Sequence, residues 1–237
     1  IICRDMAIQL YIGLVTEGET DNRFLRSVIE RLFTEIANDC HSDIIIEAIY
    51  SINMKKEAFT SMMLKASKYA YAQCGASILC IHADSDSRTL HNVYSYKIDP
   101  FLDELNDYPD EEYCKAVIPI VPIQMIESWM LADKNLLKER INAVQYTNDD
   151  LGLHRAPEAY ANPKQAIENA ISFVRNNRPK KRRYEIDIAD LYGELGSIIE
   201  LDKLRELPSF QNFETNARQI FRDLHSLLSK EIFSDMI

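Results

Sequence analysis

Apolar positions first cluster at Ile8 to Val15 (IQLYIGLV), a nearly continuous run with aromatic and β-branched members. That pattern predicts a strand covered on both faces. The run ends at Thr16, Glu17 and Gly18, after which Phe24, Leu25, Val28, Ile29, Leu32, Phe33 and Ile36 recur three to four apart. One face of a helix carries all seven, with Thr20 or a close neighbour as the expected cap. Ile44 to Tyr50 (IIIEAIY) predicts a second strand, and Lys55 to Gln73 a second amphipathic helix that Gly75 stops. Ser77 to Ala83 (SILCIHA) reads as a third buried strand, followed by the acidic turn Asp84, Ser85, Asp86 and a helix from Leu90 to Leu105. Lys115 to Val121 (KAVIPIV) predicts a fourth strand, which Pro119 confines to an edge or a bulge.

Strands alternating with helices of this length predict an α/β fold, a mainly parallel sheet flanked by helices. Beyond Pro122 the pattern changes. Ile126 to Leu137, Pro163 to Arg175 and Asn216 to Phe233 read as helices, and no later segment reads as a strand. The expected organisation is an α/β core over residues 1–145 and a mostly helical C-terminal lobe over residues 146–237, packed on the core. Six glycines and eight prolines leave little room for long flexible linkers.

At 46% hydrophobic and 27% charged, the 237 residues exclude disorder as the main state. No apolar run approaches the roughly 20 residues needed to cross a bilayer. Arg4, Asp5 and Gln9 interrupt the first fifteen residues, so the expectation is a cytoplasmic chain without a signal peptide. Cys3, Cys40, Cys74, Cys80 and Cys114 are odd in number and form no CxxC pair, which argues against a disulfide framework and a structural zinc site, and they have no His or Asn context that suggests a thiol nucleophile. No GxxxxGK[ST] motif occurs, so any ATP dependence would come from a partner. The formal charge of −10 argues against a protein that coats nucleic acid. It does not exclude an enzyme acting on phosphates, because carboxylates loaded with a divalent cation reverse the local potential.

In open parallel sheets, ligands bind beyond the carboxyl ends of the strands. Glu17 follows the first strand; Asp84 and Asp86 follow the third. Residues two apart on a strand exit point to one side, so both aspartates are expected to face one ion while Glu17 arrives from a neighbouring strand. Carboxylates about 4 Å apart repel by roughly 4 kcal/mol per pair at an effective dielectric near 20. Protonation or a hard cation must relieve that repulsion, and Mg²⁺ or Mn²⁺, as one or two ions, suits carboxylate oxygens while leaving room for a phosphate. Singly, DxD and EG are ordinary turn sequences. Their joint position at strand ends is what points to a metal.

Four local patterns carry a resemblance: EGETDNRFL from Glu17, HADSDS from His82, VPIQMIESWMLAD from Val121 and NPKQAIENA from Asn162, with LRELPSFQNF from Leu204 as a weaker fifth. Together they resemble the Toprim domain of topoisomerases, primases and the overcoming-lysogenization-defect nucleases. They resemble still more a bacterial Toprim-like family of unknown function found beside ATPases in antiviral or mobile gene clusters. The resemblance implies that Glu17 is a metal ligand or acid-base group and that Asp84 and Asp86 are the metal-binding pair. It implies that Glu127 serves a second metal and that Lys164 supplies positive charge to a phosphate. His82 and Ser85 depart from the pattern; a histidine at a strand end is more often a packing residue than a ligand, so His82 is at most a candidate to orient a ligand. Trp129 reads as a core anchor, and Asp133 as structural.

The basic run Arg178, Lys180, Lys181, Arg182 and Arg183, next to Tyr184, is the one local exception to the acidic balance and the candidate nucleic-acid contact. A solvated charged face is its ordinary reading. The expectation is a metal-dependent Toprim nuclease acting on DNA or RNA, the effector of an antiphage system with an ATPase partner. A second copy of the chain is a further allowed partner. The alternative is a non-catalytic Toprim module that docks on the ATPase.

Overall fold

The computed structural model describes residues 8–40, 44–177 and 186–234, with side chains through residue 224. Four strands, β1 (Ile8–Val15), β2 (Ile44–Ser51), β3 (Ile78–His82) and β4 (Val117–Ile120), form one sheet in the order β2-β1-β3-β4. All three pairings are parallel. The fold is therefore α/β, with helices on both faces of the sheet.

Alternation along the central strands assigns the faces. In β3, Ile78 and Cys80 join one hydrophobic cluster, while Leu79 and Ile81 join the other. The first cluster contains α1 (Glu19–Asn38), whose Phe24, Leu25, Val28, Ile29, Leu32, Phe33 and Ile36 are all buried as their spacing predicts. The second contains α2 (Phe59–Cys74) and the helical segment over residues 91–106. Gly75 ends α2 in the left-handed conformation, at φ 58°. Pro119 sits in β4, an edge strand of the sheet, where its missing N–H costs no ladder bond.

Three local expectations shift. The N-cap of α1 is Gly18 rather than Thr20, which lies inside the first turn. Helix α2 starts at Phe59, four residues later than expected, because Lys55, Lys56 and Glu57 are exposed and offer the sheet no apolar side chain. The helix expected over Ile126 to Leu137 is two, α5 (Glu127–Met130) and α6 (Lys134–Arg140). Asp133 divides them: its side chain caps α6 by accepting from the backbone N–H groups of Asn135 and Leu136, the structural role expected of it.

Residues 91–106 run as α3 (His91–Val93), a π-helical turn (Tyr94–Ile98) and α4 (Asp99–Asn106). Pro100 cannot donate to the carbonyl four residues back, which accounts for the widened turn. The C-terminal part supplies α7 (Pro163–Asn176), α8 (Ile188–Ile198), α9 (Leu201–Leu204) and α10 (Pro208–Ser234). These helices share the hydrophobic cluster of β1 and α1. Trp129 is fully buried there, edge-on to Phe210, with its indole N–H donating to Ser209 Oγ at 2.7 Å. Helix α8 has no counterpart among the sequence expectations. It lies against α1, and Arg31 of α1 donates to the Gly196 and Ile199 carbonyls at its C-terminal end.

Candidate active site

The chain passes from β1 through α1 to β2 on one side of β1, and then through α2 to β3 on the other. The order reverses between β1 and β3, so their carboxyl ends flank a crevice at the switch point where open α/β sheets bind ligands. Val15 pairs with Ile81 at that end. Glu17 leaves one strand two residues later and Asp84 leaves the other three residues later, which brings both carboxylates to the same crevice.

His82 forms the floor. Its side chain is fully buried, with Nε2 at 3.2 Å from Asp84 Oδ1 and Nδ1 at 3.8 Å from Asp21 Oδ2. Neither ring nitrogen has a hydrogen bond of good geometry. Burial pushes the imidazole pKa down, but the carboxylates of Asp84, Asp21 and Glu17 outweigh it and raise the value above the usual one. The imidazole thus sits between the carboxylates of Asp84 and Asp21.

Around it, the Asp84 side chain is 19% exposed and accepts the Ile126 N–H through Oδ1 at 3.1 Å. Asp21, 13% exposed, reaches back to the Gly18 backbone N–H, the acidic half of a capping box. Glu17 is more open, at 47%, with Lys97 Nζ 4.0 Å from Oε1. Burial, followed by the charge of Asp84, raises the Glu17 pKa. Burial also raises that of Asp21; His82 opposes the shift and Asp84 adds to it. In both residues burial is the larger cause and the charge of Asp84 adds to it.

Glu127 opens α5 and is buried; the Tyr192 hydroxyl of α8 donates to its Oε1. Burial raises the Glu127 pKa, the Tyr192 bond and the Lys164 charge oppose that shift, and Asp84 adds to it. Glu127 therefore feels both Asp84 and Lys164. Asp86 stands apart. It is exposed, in the left-handed region at φ 48°, and its backbone N–H donates to the Gln124 carbonyl at 2.9 Å. Gln124 is left-handed too, at φ 64°. Buried Ser85 accepts the Gln124 N–H at 2.8 Å and so ties the loop after β3 to the loop after β4. Among the described residues, no hydrogen bond or ion pair joins the Asp86 carboxylate to Glu17 or Asp84.

Of the sequence-predicted residues, Glu17, Asp84, Glu127 and Lys164 are linked electrostatically through Asp84 and Glu127, and Asp86 is not brought to them. Arg178, Lys180, Lys181, Arg182 and Arg183 lie outside the described residues. Asp21, Lys97 and Tyr192 belong to the site and are not among the sequence-predicted residues. Asp21 has a sequence signal, being an acid four residues after Glu17 in the first turn of α1. Lys97 and Tyr192 have none.

As placed, no group of three His, Cys, Asp or Glu side chains among the described residues is close enough to enclose an ion. The chemistry of the donor set nonetheless fits a hard divalent cation: carboxylate oxygens from Glu17, Asp84 and Asp21, mutually repelling, above a buried histidine. Glu127 offers one further oxygen beyond the one Tyr192 occupies. Among the described residues, no helix is long and apolar enough to cross a membrane.

Comparison with curated proteins and with solved structures finds no match. The family model described as "Domain of unknown function (DUF4276)" matches residues 16–216, from the end of β1 into α10 and across every candidate residue of the crevice, so the chain belongs to that family.

Proposed function

We propose that the protein is a Mg²⁺- or Mn²⁺-dependent phosphodiester hydrolase acting on nucleic acid. One observation carries the reading: Glu17 and Asp84 follow the carboxyl ends of adjacent central strands at the switch point of a parallel sheet, with Asp84 3.2 Å from the buried His82. The resemblance of EGETDNRFL and HADSDS to Toprim domains supports the same chemistry. It is also the ground for a role as effector of an antiphage system with an ATPase partner.

A bound divalent ion would make water a stronger nucleophile at neutral pH and would balance charge on the phosphate oxygens. Asp84 and Glu17 would hold it, with Asp21 and Glu127 as further donors. Asp84 is preset for this by the Ile126 N–H and by His82. Water oxygen attacks phosphorus, the opposite P–O bond breaks, and the departing alkoxide takes up a proton from solvent. Glu17 is the half-exposed carboxylate at the mouth, and the oxygen it does not give to the ion is placed to accept the proton of the attacking water. Lys164, on the Glu127 side, and Lys97, beside Glu17, stabilise the charge that gathers on the phosphate.

The test is cleavage of plasmid, single-stranded DNA and total RNA in Mg²⁺ or Mn²⁺ by the wild type and by Asp84→Ala. Metal-dependent cleavage that disappears in the variant is expected. Equal activity in both would refute the assignment.

A further inference from the structure

A pocket of about 320 Å³ opens beside the carboxylates, and Glu17 and His82 form one of its walls. The lining also has an apolar part, Met54, Phe59, Met62 and Met63 with Val15. Phe59, the first residue of α2, is only half-buried, as are Met54 and Met62. Lys97 links the polar and apolar parts of the lining, 4.0 Å from Glu17 Oε1 and 5.9 Å from the Phe59 ring centroid. Lys56 adds a second cation to the lining. The Glu57 carboxylate is engaged elsewhere, accepting from Lys65 at 2.7 Å and from Ser61 at 3.0 Å, so its charge is largely matched.

We propose that this pocket receives one nucleobase of a single strand, stacked on Phe59, while the adjoining phosphate lies against Lys97 at the edge of the carboxylates. The inference rests on the hydrolase reading for the placement of that phosphate. The volume is at the lower end of the roughly 300–1,000 Å³ of small-molecule pockets, which suits one nucleoside and excludes a stacked duplex. An aromatic ring offers a face to any base, and the methionines adapt to purine or pyrimidine outlines. An acyl chain would fit the apolar wall but would bury against Glu17, His82 and Lys97 without matching them. A base in a duplex would have to leave its stack to enter, which favours single strands and frayed ends.

Methyl NMR of the full chain, carrying ¹³C-labelled methionine, gives the test. Of the seven methionines, Met54, Met62 and Met63 line the pocket, whereas Met125 and Met130 do not. Without metal, adenosine should shift the first three and leave the other two in place, and ribose 5-phosphate should shift none. Phe59→Leu, which keeps apolar bulk but loses the ring, should weaken adenosine binding roughly 5- to 150-fold, the range for loss of one base–aromatic stack. Phe59→Trp should retain it. Unmoved pocket methyls, or wild-type affinity in a folded Phe59→Leu, would overturn the proposal. A second arm in Mg²⁺ separates strand from free nucleotide. A cleavage-resistant single-stranded oligonucleotide should move the same methyls at lower concentration than adenosine 5′-monophosphate, and a blunt duplex should not. Tighter binding of the free nucleotide would overturn the strand assignment. The adenosine arm contains no metal, so its failure is distinct from failure of the hydrolase reading, which the Asp84→Ala cleavage assay decides.

Discussion

Two glycines one turn apart on α8 are predicted to respond with opposite signs to the same substitution. A Cβ on Gly196 would lie 2.4 Å from the Phe24 carbonyl oxygen, 2.7 Å from its Cα and 2.9 Å from its carbonyl carbon. All three are backbone atoms inside α1, so no side chain can swing away, and α8 must retreat by about 1 Å to reach ordinary contact. Leu191, Tyr192 and Leu195 are buried in this cluster and would lose contact together. Overpacking of this kind costs up to about 3 kcal/mol. The helix preference of Ala over Gly returns at most about 1 kcal/mol. Gly196→Ala should therefore destabilise by about 2 kcal/mol, which lowers Tm by about 4–8 °C in a chain of this size. At Gly193 the heavy atom nearest to an added Cβ, Arg23 Cβ, is at an ordinary 3.7 Å, so only the propensity gain remains. Gly193→Ala should raise Tm by about 2–4 °C. Thermal and urea unfolding, followed by the fluorescence of the single, buried Trp129, read both changes. Shifts of the same sign in the two variants, or a Gly196→Ala protein as stable as wild type, would refute the packing account.

Tyr192→Phe removes the hydroxyl that donates to buried Glu127 and should cost about 1–3 kcal/mol in urea unfolding, whereas Glu127→Gln with Tyr192 intact should cost less. Burial pushes the Glu214 pKa up, but hydrogen bonds from Arg205 and Arg218 overcome it and hold the value below 4.5. Its contribution to stability is therefore fully present above the ordinary glutamate value and is lost as pH falls through the depressed one. Glu214→Gln should flatten the acid limb of a Tm-against-pH curve below about pH 4.5, and an unchanged limb would contradict that role. Charge reversal at Arg182 and Arg183 should weaken nucleic-acid binding and make it less salt-dependent, which fluorescence anisotropy across a salt series reads directly.

The elements most legible in the sequence are those whose burial is local. β1 matches its apolar run from Ile8 to Val15, and every apolar position of the α1 stripe is buried, because one face meets one sheet. Helix α8 is hidden for the same physical reason that makes it informative. Gly193 and Gly196 weaken its helical signal, and the requirement for Gly196 comes from the backbone of Phe24, far away in the chain. The site divides in the same way. Glu17 and Asp84 follow strands and can be read from that position, but Tyr192 reaches Glu127 across 65 residues, which no spacing rule encodes. Asp21 looks in the sequence like any acid complementing a helix N-terminus, and only the fold sets His82 facing it. Strand alternation places Asp86 beside Asp84, yet the chain has left the extended conformation there, at φ 48°, and alternation no longer applies.

Mn²⁺ binding, measured by calorimetry on the wild type and on Asp84→Asn, tests the central claim most directly. The carboxylate crevice predicts saturable binding of one or two ions that Asp84→Asn weakens by at least tenfold while the fold is retained. Absence of binding, or equal binding by both proteins, would contradict a metal centre at the β1–β3 switch point and would favour a non-catalytic module.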